Sequence, residues 1–395
     1  MNPAAHARVV PALLAGLLLL CCAARPAGAQ NRWDEMDYGP FLGSSVTMPG
    51  ANPEDPAGIV EKGVTVRLGT KDQPAAVCFD TDLLCYRAGW TGGWLKLMGT
   101  PFDGTHRPPE GSRPMPQGEI MFSTGSGPGW ASPDGKWDDP RPRPYGPLPR
   151  AWGKYKGHYV HGDRVVFSYT VGDTDVLDLP AFERADDGQA LFTRTLRLGA
   201  STKPLKLLVN QEVEKDRKLS FSLSYAAPVE AEFEEGRAFF VFPPRGKPTV
   251  YKVAIVRSQK PAQAAKAMLA VTDPTSLTTG GPARWPQTVE TKGKLGAGDG
   301  PYAVDTLTLP DDNPWKSWMR VGGFDFFKDG KSAALSTWSG DVWVVSGVDD
   351  KLEKLTWKRY AAGLFQPLGL KVVDEKVYVL GRDGITRLHD VNGDN

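Results

Sequence analysis

The chain has 395 residues, with 47 basic side chains against 46 acidic ones and a net charge of +1, a balance that leaves no basic footprint for a nucleic-acid partner. That length allows two domains, each with its own core. With 44 glycines, 34 prolines and 41% hydrophobic residues, the composition favours a turn-rich all-β protein over a helical one.

Met1–Ala29 carries Arg8, an apolar run from Ala12 to Cys22 and the small-residue end Ala27-Gly28-Ala29. This is the layout of a secretory signal cleaved before Gln30, which predicts a periplasmic or secreted protein with no transmembrane anchor after cleavage. Cys21 and Cys22 each lack a small residue immediately before them, which disfavours a lipoprotein.

After the signal, Pro40, Pro49, Pro53 and Pro56 predict an irregular arm. Strands are expected from Ile59 onward. Gly63–Leu68 alternates, while Ala75–Phe79 and Leu83–Tyr86 flank Asp80-Thr81-Asp82 as a hairpin. With Thr81-Asp82 at its tip, Cys78 faces Cys85 at a separation of about 5.5 Å between Cα atoms, which permits a disulfide. These are the two cysteines left after signal removal, and an exported compartment favours oxidation. The other reading is a pair of small buried apolar residues.

Trp90 and Trp94 bracket the Gly92-Gly93 pair shortly before Phe102-Asp103-Gly104-Thr105-His106. One reading is a stacking platform for a sugar ring, with Asp103 and His106 as hydrogen-bonding partners. The preferred reading is that the two indoles fill a core where glycine lets backbones approach closely. Residues 107–150 are dense in proline and glycine yet keep Trp130, Trp137 and Tyr145, which predicts an ordered excursion across a sheet face. His158 and His161 have an H-x-x-H spacing, but on an extended chain that offset sends them to opposite faces.

Further strands are expected at Arg164–Val171, Leu191–Leu198, Leu205–Gln211, Leu219–Ala226, Ala238–Phe242 and Thr249–Arg257, spaced as in a sandwich. Pro261–Ala270 is the one credible helix. Gly280–Pro282 and Gly293–Gly300 mark a linker.

From Trp315 onward a repeat of about 45 residues, the length of a propeller blade, is legible. Gly323–Phe327, Ala333–Leu335 and Val342–Val345 recur as Gly369–Val373, Val377–Leu380 and Ile385–Leu388, with charged or glycine turns between them. Propellers close at roughly four to eight blades, so two repeats predict an incomplete one. Asp390, Asn392 and Asp394 have the spacing that opens many calcium loops, as part of a ligand set. The expected layout is therefore a signal over 1–29, a β-sandwich-like domain over 30–279, a linker over 280–300 and a partial β-propeller of about two blades over 301–395.

The sequence contains no nucleophile elbow, phosphate loop or dinucleotide fingerprint. No C-x-x-C-H motif is present for a c-type haem. Asp80, Asp82 and Asp103 lie close together in sequence, but spacing alone does not give the separation that glycoside hydrolysis requires.

Several blocks together carry a resemblance: Asp37–Gly43, Phe102–His106, His161–Val165, Asn313–Met319, Gly340–Val344, Tyr360–Gly369 and Thr386–Asp394. On these the chain resembles the N-terminal part of exported PVC-type haem-binding CxxCH proteins, whose leading module is domain of unknown function 6797. The resemblance implies that this module precedes a propeller similar to glucose and sorbosone dehydrogenases, with a cytochrome c domain commonly closing the chain. It implies haem c only in a longer parent or partner, and the remaining blades in the same or a partner chain. The expected function is an exported non-catalytic β-module that presents or docks such a redox assembly, with carbohydrate binding as a further option. The alternative is the front fragment of a quinoprotein-like sugar or alcohol dehydrogenase.

Overall fold

The computed structural model describes residues 32–48, 58–97, 113–137, 139–143, 145–185, 188–211, 220–223, 229–234, 236–256 and 270–394. The signal, the Pro261–Ala270 helix up to residue 269, Asp103 and His106 lie outside these residues. The described chain is all-β, built of antiparallel sheets none of which closes on itself. No helix among the described residues is long and apolar enough to cross a membrane.

The first sheet contains β1 (Phe41–Thr47), β2 (Ile59–Gly69), β3 (Pro74–Asp80) and β4 (Cys85–Thr91), followed after the short pair β5 (Leu95–Lys96) and β6 (Met115–Pro116) by β7 (Glu119–Ser123). Its order is β1-β2-β3-β4-β7. Strands therefore begin at Phe41, inside the expected irregular arm. Pro40 ends just before β1 starts, so β1 loses no ladder donor. All seven residues of β1 are buried because this sheet is covered on both faces, as a run without alternation requires.

Then follow β8 (Gly153–His161), β9 (Arg164–Val171), β10 (Thr174–Arg184), β11 (Ala190–Leu198), β12 (Leu205–Gln211), β13 (Ser220–Leu223), β14 (Glu230–Glu234), β15 (Arg237–Phe242) and β16 (Thr249–Val256). They form a six-stranded sheet, β13-β16-β11-β10-β9-β8, and a three-stranded one, β12-β15-β14. One core lies between these sheets and the first. Val64, Val66, Val77 and Phe79 meet Phe167, Tyr169, Phe192 and Val253 there, with Leu207 and Phe240 from the third sheet. The rings of Phe79 and Phe167 stack at 4.3 Å. Residues 113–150 contribute Trp130 and Leu148 to this core, as expected of an ordered excursion. The alternate residues of the first sheet, Leu42, Val46, Ala76, Cys78 and Trp90, form a second core on its other face, together with Tyr38 and Phe365.

The C-terminal part holds β17 (Thr288–Thr291), β18 (Val321–Phe326), β19 (Ser332–Thr337), β20 (Val342–Ser346), β21 (Leu355–Ala361), β22 (Gly369–Val373), β23 (Lys376–Leu380) and β24 (Ile385–Arg387). The first five form a sheet ordered β17-β21-β20-β19-β18, and the last three form β22-β23-β24. Both copies of the repeat are thus antiparallel three-strand meanders with the strands where the sequence places them. The expected linker carries β17, which pairs with β21 through Val289 and Trp357. The sheets lie face to face over Ala334, Val342, Val377 and Val379, and the far face of the larger sheet packs Leu335, Trp343 and Trp357 against Trp285 and Trp315.

Candidate functional site

Three of the blocks that carry the resemblance, Asp37–Gly43, Asn313–Met319 and Gly340–Val344, meet at one buried junction. Arg359 sits at an inward position of β21, in line with Leu355 and Trp357, and its side chain is fully buried. Its Nη2 donates to Asp341 Oδ1 at 2.7 Å and also to the carbonyl of Asp37, while Nη1 lies 3.4 Å from Asp37 Oδ2. Asp341 accepts a further bond from the Ser317 hydroxyl. Asn313 clamps the Ser317 loop by donating to the Pro310 and Ser317 carbonyls at 3.0 and 2.9 Å and accepting from the Ser317 amide at 2.9 Å. Trp285 closes the junction: its ring lies 4.5 Å from the guanidinium and its indole N–H donates to Asp37 Oδ2 at 3.0 Å.

Electrostatics at the junction follow from these contacts. Burial opposes ionisation of Asp37, but the Trp285 and Gly39 N–H groups and the Arg359 and Arg284 guanidiniums outweigh it and hold the carboxyl below its usual range. Burial pushes Asp341 up, against the opposing pull of Arg359 and Ser317. Arg359 and Asp341 are both fully buried and bonded to each other, while the Asp37 side chain remains 39% exposed at the edge of the junction. This is a structural keystone that joins the N-terminal arm to the C-terminal sheet.

The other predicted residues separate. Cys78 and Cys85 are free and do not face each other. Cys78 pairs with Ala88, and Cys85 pairs with Asp80. The expected two-residue tip is a four-residue turn, because Asp80 Oδ1 accepts the amides of Asp82 and Leu83 at 3.1 Å each and Leu83 and Leu84 are drawn into the core. Cys78 then faces the second core and Cys85 the first, so the expected bridge is corrected to two buried thiols. Burial pushes Cys78 up to about 12 and raises Cys85 as well.

Trp90 is fully buried and donates its indole N–H to the Trp94 carbonyl at 2.7 Å. Over the Trp94 ring lies the Arg67 guanidinium, 3.3 Å from the centroid, on a ring face that a sugar platform needs. Trp90 is thus a core side chain and Trp94, half-buried, has one ring face taken by Arg67, while Asp103 and His106 lie outside the described residues. His158 packs edge-on to Phe41 at 4.5 Å with Nδ1 2.7 Å from the Tyr155 hydroxyl, while His161 ends β8.

Asp390, Asn392 and Asp394 share the C-terminal loop. Asp390 Oδ1 accepts the Gly393 amide at 2.8 Å, and the Asn392 amide group donates to Gly281 O and Asp394 Oδ2, both at 2.9 Å. Together they supply at most part of the six to eight oxygens that calcium takes. No three His, Cys, Asp or Glu side chains come together as a metal site among the described residues.

Arg359 was missed from sequence, although its signal was present: β21 alternates inward and outward, and the charged residue falls on the inward parity. Arg67 carries no comparable signal.

Residues 77–178 match the family model described as a domain of unknown function (DUF6797). The match covers about a quarter of the chain, from Val77 in β3 to Asp178 in β10. It includes Trp90, Trp94 and both thiols and contains none of the residues of the arginine junction. No curated protein matches the chain.

Proposed function

We propose that this chain is an exported, non-catalytic β-module whose C-terminal repeats dock the further sheets of a propeller-type assembly, with the redox chemistry carried by a haem-bearing partner domain. One observation carries the reading. The inner face of the first repeat, at Ala334 and Val342, is fully covered by the second repeat. On the second repeat, Val377 and Val379 turn inward, and the opposite face leaves Leu380 50% and Ile385 74% exposed. These two pair across β23 and β24, so they form one apolar patch next to an open strand edge. Such a face suits another sheet of the same kind, and the arginine keystone ties the larger sheet, against which the presenting sheet packs, to the N-terminal arm.

The test compares the parent chain with a Leu380→Lys/Ile385→Lys double variant, each tagged, exported and cross-linked in cells. A haem-staining partner recovered with the parent and lost with the variant supports the reading. Absence of any haem-bearing partner, or equal recovery with both chains, overturns it.

A further inference from the structure

A cavity of about 280 Å³ opens at the seam between the two C-terminal sheets. Its floor is apolar, formed by Phe327, Val377 and Leu388, and its rim is polar, with Tyr360, Glu375 and Asp390 among the groups around it. The volume lies just below the roughly 300–1,000 Å³ of pockets for drug-sized ligands, leaving room for a single ring and too little for a chain.

The rim offers hydrogen-bonding capacity that the protein does not consume. The Tyr360 hydroxyl and the Lys376 ammonium have no hydrogen-bond or ion-pair partner among the described residues. His389 Nε2 accepts from Arg387 Nε at 2.7 Å, which leaves the proton on Nδ1 as a donor. Glu375 uses Oε1 to accept the Lys328 amide at 3.0 Å, and its Oε2 remains an acceptor.

Backbone strain holds Glu375 in that position. The two-residue turn between β22 and β23 is Asp374-Glu375, with φ of 48° and 59°. Hairpins of this kind normally place Asn-Gly there, because left-handed backbone is unfavourable for a side chain with a Cβ. The strained turn carries Glu375 across the seam to the first repeat. Strain of this sort, held by the surrounding structure, is characteristic of ligand clamps.

The geometry points to this seam cavity as a binding site for a neutral polyhydroxylated molecule about the size of one sugar ring. Each hydroxyl of such a ligand both donates and accepts, which matches a rim where Tyr360, Lys376 and His389 donate and Glu375 Oε2 accepts. Two carboxylates against one ammonium disfavour an anion, and that ammonium disfavours a cation. The apolar floor takes the C–H face of the ring. The cavity faces the seam between the repeats and the docking patch faces away from it, so either assignment stands without the other.

Ligand-observed NMR titration of the full chain with D-glucose, D-galactose and myo-inositol tests the site. Saturable binding is expected for at least one probe, in the range of about 1–10 mM, and weaker binding for D-glucuronate. Tyr360→Phe and Glu375→Gln should each weaken it roughly tenfold, the loss of one hydrogen bond. Glu375→Gln keeps an acceptor for Lys328, and Tyr360→Phe leaves the seam contacts intact, so thermal melts of both variants should match the parent. No saturation with any of the three probes overturns the assignment. So does unchanged affinity in both variants, or tighter binding of glucuronate.

Discussion

Arg359 in β21 bonds to Asp37, which precedes β1, across 322 positions of sequence, and no water reaches the guanidinium between them. The contact fixes the start of the chain to the inside of the C-terminal sheet. The strand β1 beside it gains a further tie where the Gly43 amide donates to Gly363 O at 2.7 Å. The arm, the first sheet and the larger C-terminal sheet are therefore bonded together around this pair.

Arg359→Ala should destabilise the chain by about 3–5 kcal/mol, because it leaves Asp341 buried without its counter-charge. Arg359→Met/Asp341→Leu removes both charges and should recover a large part of that loss. Chemical denaturation followed by tryptophan fluorescence measures both, since Trp285 and Trp315 border the site. A single variant within about 1 kcal/mol of the parent would show that the junction contributes little.

Asp80 makes stability depend on pH. Burial raises its carboxyl to about 6 from 3.8, with Arg87 only partly offsetting the shift. A group whose folded pKa is raised stabilises the fold below its unfolded pKa, and that contribution is lost as pH rises through the folded value. Between about pH 4 and about pH 7 the parent should therefore lose roughly 2–3 kcal/mol relative to Asp80→Asn. Urea unfolding of both proteins at the two pH values gives the difference directly. A pH-independent difference would mean that Asp80 titrates normally.

The two thiols should resist reagents in the folded protein and react fully once it unfolds. Thiolates are the reacting species, and burial pushes Cys78 up to about 12. Non-reduced protein should show no fast-reacting thiol in buffer and two in denaturant. Fewer than two in denaturant would restore the bridge that the sequence suggested.

Much of the fold was legible because alternation survives wherever one face of a strand is wet. Arg164–Val171 and Leu205–Gln211 were placed at their observed limits, and the charged turn Asp374–Lys376 was found from its neighbours. The strand β1 was not, because it is buried on both faces and so lacks alternation. The cysteine register failed through an irregularity between Cys78 and Phe79 and through a turn built by the Asp80 side chain. Spacing in a sequence does not reveal such a shift. The arginine junction depends on contacts between residues hundreds of positions apart, which local patterns do not encode. The seam cavity likewise exists only once two repeats are packed.

The packing of the two repeats gives the last prediction. At Gly323 in β18 an added Cβ would lie 2.3 Å from the Leu370 amide nitrogen, and at Gly322 it would lie 2.4 Å from the Pro367 carbonyl oxygen. Both obstacles are backbone, which cannot swing aside as a side chain can. Two stitches nearby depend on this approach: Asp325 Oδ2 accepts the Val372 amide at 2.8 Å, and Glu375 accepts the Lys328 amide. Gly323→Ala should push β22 away from β18, weaken both stitches and cost about 1–3 kcal/mol, the usual range for overpacking. Gly330→Ala serves as the comparison, since its Cβ would meet no neighbour and its φ of 63° adds only local strain. Hydrogen exchange distinguishes the two: Gly323→Ala should speed exchange at the Val372 and Lys328 amides, whereas Gly330→Ala should leave Val372 protected. Equal protection of Val372 in the parent and in Gly323→Ala would mean that the second sheet is not held by close backbone approach.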